Sequence, residues 1–195
     1  QTVLPLLDTV SELVVGTGAA NTVLCREGAL RGENTDVDGI VEALREAGVA
    51  AVSRSVVLGG GATAASALAA LQRLGDAGPL LAAAARLGVQ PVLGPLEPQA
   101  LTAPVDVVIS TAPAGALDAF AGQLVLSGQL PVLLDVVYAP WPTALGSVYA
   151  GAGGTVVAGA VMLLHQAAAQ VALMTGRPAP LEIMRAALGE RSSPT

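Results

Sequence analysis

The stretch that most constrains this 195-residue chain is Ser55–Ala64, Ser-Val-Val-Leu-Gly-Gly-Gly-Ala-Thr-Ala. Val56, Val57 and Leu58 run straight into Gly59, Gly60 and Gly61, and an alanine-rich segment continues to Leu74. The pattern predicts a buried strand, a tight glycine turn and a helix start. Gly59, Gly61 and Ala64 fit Gly-x-Gly-x-x-Gly/Ala. In a dinucleotide fold the first glycine makes the turn and the second lets the backbone approach a pyrophosphate. The third small residue lets helix and strand pack closely. The helix N-terminus then offers N–H groups and a partial positive charge to the phosphates. A plain strand-to-helix turn is the other reading of the same residues.

The chain around this turn alternates strands with helices. Thr2–Leu13 carries apolar residues at helical spacing and predicts a helix ended by Gly16-Thr17-Gly18. Thr22–Arg26 and Ala29–Gly32 read as two strands joined by a turn at Glu27-Gly28, and an amphipathic helix follows Asn34-Thr35-Asp36. Val105–Ser110, Pro131–Val137 and Gly154–Val157 read as buried strands, with a short helix at Thr143–Ala150 and a long one at Val161–Thr175. A last helix to about Leu188 precedes a frayed tail at 190–195. The expected fold is α/β: a Rossmann-like parallel sheet with helices on both faces. Ligands in such sheets bind at the carboxyl ends of the strands. Here Gly59–Thr63, Ser110–Ala114 and Val136–Tyr138 mark three such ends.

The middle breaks the pattern. Leu71–Asp76 runs directly into Ala77–Leu87, which looks like the next helix, with no β-branched strand between them. A strand candidate follows at Gly88–Leu93 and a short turn or helix at Leu96–Leu101.

Composition narrows the function classes. A formal charge of −6 without a basic run argues against nucleic acid or an anionic membrane as partner. The single cysteine, Cys25, rules out a disulfide framework, fits a reducing cytoplasm and reads as a buried thiol among strand residues. Gln1–Thr9 lacks the basic and apolar regions of a signal peptide. Val156–Leu173 is apolar, yet it contains His165, Gln166 and Gln170, so a buried helix is expected rather than a membrane span.

Four polar residues stand beside small or apolar neighbours: Asn21, Asp36, Tyr138 and Gln166. Each has a structural reading as turn residue, helix cap, wedge and buried amide respectively; Thr35 is a second candidate cap. Asp36 alone of the four can transfer a proton or hold a cation near neutral pH. His165, the only histidine, has no metal-ligand spacing around it and reads as a helical histidine at a domain contact.

Together these segments resemble the shikimate dehydrogenase family. Gly18-Ala19-Ala20-Asn21-Thr22 is similar to its Gly-Ala-x-Asn-Thr, and Asn34-Thr35-Asp36 to its Asn-Thr-Asp. Gly59-Gly60-Gly61-Ala62 resembles its phosphate turn, and Ser110-Thr111-Ala112-Pro113 the loop against the nicotinamide half. Asp135–Thr143 resembles Asp-x-x-Tyr-x-Pro-x-x-Thr, and Gly159–Ala167 resembles Gly-x-x-Met-Leu-x-x-Gln-Ala. The resemblance implies substrate contacts at Asn21, Thr35, Asp36, Tyr138 and Gln166, with Asp36 paired to a catalytic lysine. It implies cofactor contacts at Glu12, Gly59, Gly60, Gly61, Ala62, Thr63, Thr111, Ala112, Pro113, Val136, Gly159 and Met162. It also implies a substrate domain built from both chain ends, 1–36 with 160–190, and a dinucleotide domain over 37–159. No metal is implied, and a monomer or homodimer is expected.

Three of the family's features are missing from the sequence: its N-terminal sheet with a Ser-x-Ser motif, its lysine, expected just before Gln1, and the adenosine-binding strand, expected between Asp76 and Ala77. The resemblance thus implies an incomplete chain whose parent protein carries all three; a discontinuity at 76/77 is expected, and without the lysine little turnover is expected. The implied reaction is hydride transfer between a nicotinamide and the ring carbon of shikimate that becomes the ketone of 3-dehydroshikimate. NADP is the family's usual cofactor, with NAD open because the strand that decides is the missing one. A quinate or amino-shikimate dehydrogenase and a non-catalytic nucleotide-binding module are the alternatives.

Overall fold

The computed structural model describes residues 3–75, 97, 101 and 104–191. The expected discontinuity at 76/77, the helix at Ala77–Leu87, the strand candidate at Gly88–Leu93 and all but two residues of the turn at Leu96–Leu101 lie outside the described residues.

The chain begins with a short 3-10 turn, Leu4–Leu6, with Pro5 inside it. Strand β1 (Thr9–Val10) and helix α1 (Glu12–Thr17) follow. The helix expected over Thr2–Leu13 is thus replaced by a turn, a strand and only the start of a helix. The reason is pairing: β1 runs parallel to β3 (Ala29–Glu33), and Asp8 N–H donates to Leu30 O at 2.9 Å. Helical spacing alone gave Leu6 no core to face, and it stays 70% exposed. Ser11 caps α1 by accepting from Val14 N, and Gly18, at φ 67°, ends it.

Strand β2 (Thr22–Arg26) pairs antiparallel with β3 through a turn in which Glu27 and Gly28 both take positive φ. The strand order of this first sheet is β1-β3-β2. Cys25 corrects a sequence expectation. It is exposed, because the alternation of β2 turns Thr22 and Leu24 inward and sends Val23 and Cys25 out.

Helix α2 (Asp36–Glu46) leads into the second sheet. Neither Thr35 nor Asp36 caps it as expected: Thr35 occupies the cap position in helical φ/ψ without a side-chain capping bond. Asn34 Oδ1 instead accepts from Asp36 N–H at 3.1 Å. The glycine turn then joins β4 (Ser55–Leu58) to α3 (Ala62–Arg73). Among the described residues, strands β5 (Val107–Ser110), β6 (Val132–Asp135) and β7 (Val156–Ala158) join β4 in an all-parallel sheet in the order β4-β5-β6-β7. Its remaining helices among the described residues are the short α4 (Asp118–Ala121), which no sequence signal had suggested, and α5 (Ala144–Gly151). The chain ends in the long α6 (Gly159–Thr175) and α7 (Leu181–Arg191), the last reaching into the segment expected to fray.

Both faces of this sheet are covered, as its continuous apolar strands require. On one face Ile109 and Leu134 meet Val37, Ile40, Leu44, Leu68 and Leu71 from α2 and α3. On the other, Val108 and Leu133 meet Phe120, Leu145 and Tyr149 from α4 and α5. Neighbours in one strand thus serve opposite cores. Ile40 and Leu44 are fully buried, each stabilising the fold by roughly 1.5–3 kcal/mol as an upper estimate. Helix α2 also lies close against α6. A Cβ on Gly39 would come within 2.7 Å of Met162 O and 2.8 Å of Gln166 Cβ, so only glycine lets the two helices meet here.

Candidate functional site

The strand ends of the parallel sheet are level. Leu58 pairs with Ser110, Ser110 with Asp135, and Asp135 with Ala158. The next residue on each strand is therefore Gly59, Thr111, Val136 or Gly159, and these four form a row along the carboxyl edge. All four were expected to touch a cofactor. Gly59 takes φ 128°, and a Cβ there would collide with Thr111 Oγ1. Thr111 is fixed in turn by its backbone N–H and its hydroxyl, which donate to Leu58 O at 2.7 and 3.1 Å. A Cβ on Gly159 would strike Val136 O. Two of the row's residues must be glycine for the row to close up.

Opposite this edge sits a polar network from the other end of the chain. Asn21 follows Gly18, the left-handed residue that turns the chain out of α1. Its Nδ2 donates to Asp36 Oδ1 at 2.7 Å and to Gln166 Oε1 at 3.1 Å. Its Oδ1 accepts from Thr35 N at 2.9 Å and from Thr22 Oγ1 at 2.9 Å. The Thr35 hydroxyl lies 3.2 Å from both Asn21 Oδ1 and Gln166 Oε1. Burial raises the Asp36 carboxyl above its ordinary value, and the hydrogen bond from Asn21 opposes this in part. Among the described residues no arginine or histidine pairs with Asp36.

Val136 and Gly159 of the edge face the network across one cleft of about 360 Å³, which Gly59 and Thr111 do not line. Asn21, Asp36, Tyr138 and Gln166 line it from the expected substrate set, and Thr63, Val136, Gly159 and Met162 from the expected cofactor set. Thr35 stands directly behind them, fully buried. Leu163 and Gln170 also line the cleft and were not foreseen. They lie three residues before and four after Gln166 on α6, so helical spacing held the signal. Gln170 donates to Thr22 Oγ1 at 2.9 Å and so braces the hydroxyl that holds Asn21.

Other expected residues lie elsewhere. Ala112 and Pro113 line a separate small cavity with Asp118, Asp135 and Thr143. Gly60, Gly61 and Ala62 are exposed at the start of α3. Glu12 is exposed in the first turn of α1 and does not line the cleft.

Tyr138 owes its place to the residues around it. Asp135, 2% exposed, accepts from Thr143 Oγ1 at 2.7 Å and from Val137 N at 3.2 Å. Thr143 also caps α5 by accepting from Gly146 N at 3.0 Å. The loop between them is thereby pinned at both ends, with Tyr138 62% exposed on the cleft. His165 is a helix-contact residue: its Nε2 lies 2.9 Å from Glu46 Oε2, and Arg185 donates to the same carboxylate.

Among the described residues no group of three or more His, Cys, Asp or Glu side chains is arranged to hold a metal ion. No described helix is long and apolar enough to cross a membrane.

Residues 159–188 match the family model described as the shikimate 5'-dehydrogenase C-terminal domain. The chain is 39% identical to a shikimate dehydrogenase (NADP+) of Citrifermentans bemidjiense, covering 97% of this chain and 72% of that protein. Its fold is similar to that of Mycobacterium tuberculosis shikimate dehydrogenase, with a TM-score of 0.84 and 38% identity over 97% of this chain and 74% of that one. A Thermus thermophilus shikimate 5-dehydrogenase, solved in complex with NADP(H) and shikimate, gives a TM-score of 0.80 at 27% identity, with the same coverage of 97% and 74%.

Proposed function

Because the chain belongs to the shikimate dehydrogenase family, we infer that it catalyses the reversible, NADP-dependent reduction of 3-dehydroshikimate to shikimate. The observation that carries this reading is the meeting, in one cleft, of Val136 and Gly159 from the sheet's carboxyl edge with the Asn21–Thr35–Asp36–Gln166 network. The first supports dinucleotide binding and the second supports recognition of a polyhydroxylated ring.

The residues present fit a dinucleotide. The φ of Gly59 and its contact with Thr111 exclude a side chain where a pyrophosphate approaches, and no side chain caps α3. Gly59–Thr63 would hold the phosphates, with Thr111, Ala112, Pro113, Val136, Gly159 and Met162 along the nicotinamide half. NADP supplies, when bound, the acceptor for a hydride from the ring carbon. On the other wall Asn21, Tyr138 and Gln166 orient the ring hydroxyls by hydrogen bonds, and Thr35 behind them holds Asn21 and Gln166 in place. Asp36 engages Asn21 through Oδ1. Its Oδ2 is the atom at which the carboxylate takes the hydroxyl proton in oxidation and returns it in reduction. Partial burial of Asp36 suits that task, since a base works best with its pKa drawn toward the operating pH. We assign the substrate-facing part to residues 1–36 with 160–190 and the dinucleotide-facing part to 37–159. The division into two sheets supports that assignment.

Calorimetric titration with NADP+, shikimate and quinate, beside an assay of NADPH formed from shikimate, tests the reading. Saturable binding of NADP+ and shikimate is expected, with shikimate-dependent NADPH formation that is slow without the family's lysine. NADP+ binding without shikimate binding would leave a nucleotide-binding module. Preference for quinate would shift the substrate, and absence of NADP+ binding would overturn the reading.

A further inference from the structure

Helix α3 is built almost wholly from alanine on its buried side, with Ala64, Ala65, Ala67, Ala69 and Ala70 all buried. In that setting Ser66, with no exposed surface, is the exception. Alanine would serve the helix better at this position. A buried hydroxyl is tolerated only with a partner.

The partner is Asn34, itself 2% exposed. Asn34 Nδ2 donates to Ser66 Oγ at 3.0 Å and also to Thr17 Oγ1 at 3.0 Å and Ala19 O at 3.1 Å. Its Oδ1 accepts from the backbone N–H of Asp36 at 3.1 Å. Ser66 Oγ reaches back along its own helix to Ala62 O at 3.4 Å. Ala62 is the first residue of α3 and follows the glycine turn directly. Two buried side chains thus connect the helix end beneath the glycine turn to the backbone of Asp36, across 32 residues of sequence.

We propose that Ser66 is a positioning residue: through Asn34 it couples the seating of the α3 N-terminus, where a pyrophosphate is held, to the placement of Asp36 in the substrate cleft. Cofactor and substrate then strengthen each other's binding, and by linkage the factor is the same in both directions. This rests on the functional reading above, since it needs both ligands. One hydrogen bond carries the connection, so the expected mutual enhancement is about fivefold.

The test is a set of four titrations on wild type and on Ser66→Ala: NADP+ with and without saturating shikimate, and shikimate with and without saturating NADP+. Wild type is expected to show the roughly fivefold enhancement in both directions. Ser66→Ala should bind each ligand alone about as well as wild type and show an enhancement near one. A merely structural serine would lower the melting temperature and leave the ratio intact. Ser66→Cys, which keeps a weaker acceptor for Asn34 and a weaker donor, should give an intermediate ratio, and it serves alone should the alanine variant fail to fold. Equal ratios in wild type and variants, or a wild-type ratio of one, overturn the proposal. Wild type that binds neither ligand overturns the functional reading itself, and that failure shows before any variant is made.

Discussion

Asn21 Nδ2 lies 2.7 Å from Asp36 Oδ1, so the carboxylate that lines the cleft is oriented by an amide 15 residues before it. The same amide nitrogen reaches Gln166 Oε1, 145 residues away, at 3.1 Å. Asn21 therefore sets the position of a carboxylate and of a helix at once.

Asp36→Asn is expected to lower kcat by roughly 10²–10⁴ while NADP+ binding persists, because the amide keeps the contact geometry but takes no proton. The same variant has a stability signature. Burial raises the folded-state pKa of Asp36, so charging the group in the folded state is penalised. The penalty is absent below the ordinary carboxyl range, where Asp36 is neutral folded or unfolded, and it grows as pH rises through the raised value. The asparagine variant should melt above wild type at neutral pH, with the gap closing on acidification. Thermal melts across pH 3 to 8 check this; a constant gap would contradict it.

Gly59→Ala and Gly61→Ala should part company. Gly59 has φ 128° and Thr111 against it, so its replacement should cost roughly 1–3 kcal/mol and weaken NADP+ binding by at least about tenfold. Gly61 has an ordinary φ of −89° with open space around it. Its alanine variant should melt like wild type, so any loss of NADP+ affinity there reports the approach of the ligand itself.

Thr143→Ala removes a helix cap and one of two partners of the buried Asp135. A loss of about 1–3 kcal/mol is expected in denaturant unfolding, with weaker shikimate binding because the Tyr138 loop loses its anchor. Thr143→Ser keeps the hydroxyl and should restore most of both.

Glu46 supplies the opposite pH signature to Asp36. Hydrogen bonding to Arg185, and more weakly to His165, holds its carboxyl below the ordinary value of 4.5. Its contribution is present above that value and fades as pH falls through the lower folded one. The carboxylate is 42% exposed, which limits the effect to below about 1 kcal/mol. Glu46→Gln should melt slightly lower than wild type at neutral pH and converge with it in acid; high salt should shrink the difference.

The parallel sheet was legible because its strands are unbroken apolar runs ending in glycine, serine or aspartate, and such runs have one stable use. The cleft-lining residues Asn21, Asp36, Tyr138 and Gln166 were legible as polar groups among small neighbours, although only the ordered motifs tied them together. The first ten residues were misread because their helical spacing is real but β3 offers a free edge, and pairing outweighed periodicity. Cys25 was misread because a strand's residue types do not say which face is covered. Ser66 and Asn34 were invisible as a pair: a hydrogen bond across 32 residues leaves no local pattern.

The level row Gly59, Thr111, Val136 and Gly159 has a consequence for how this chain tolerates change. Each of the four is set by counting residues along a strand, and a single insertion or deletion within β4, β5, β6 or β7 would swap the two faces of that strand and move its end off the line. Apart from the glycine turn and the pinned Asp135–Thr143 loop, the segments beyond the row carry no such count. Loop length is therefore the free variable in this half of the molecule, and strand length the fixed one.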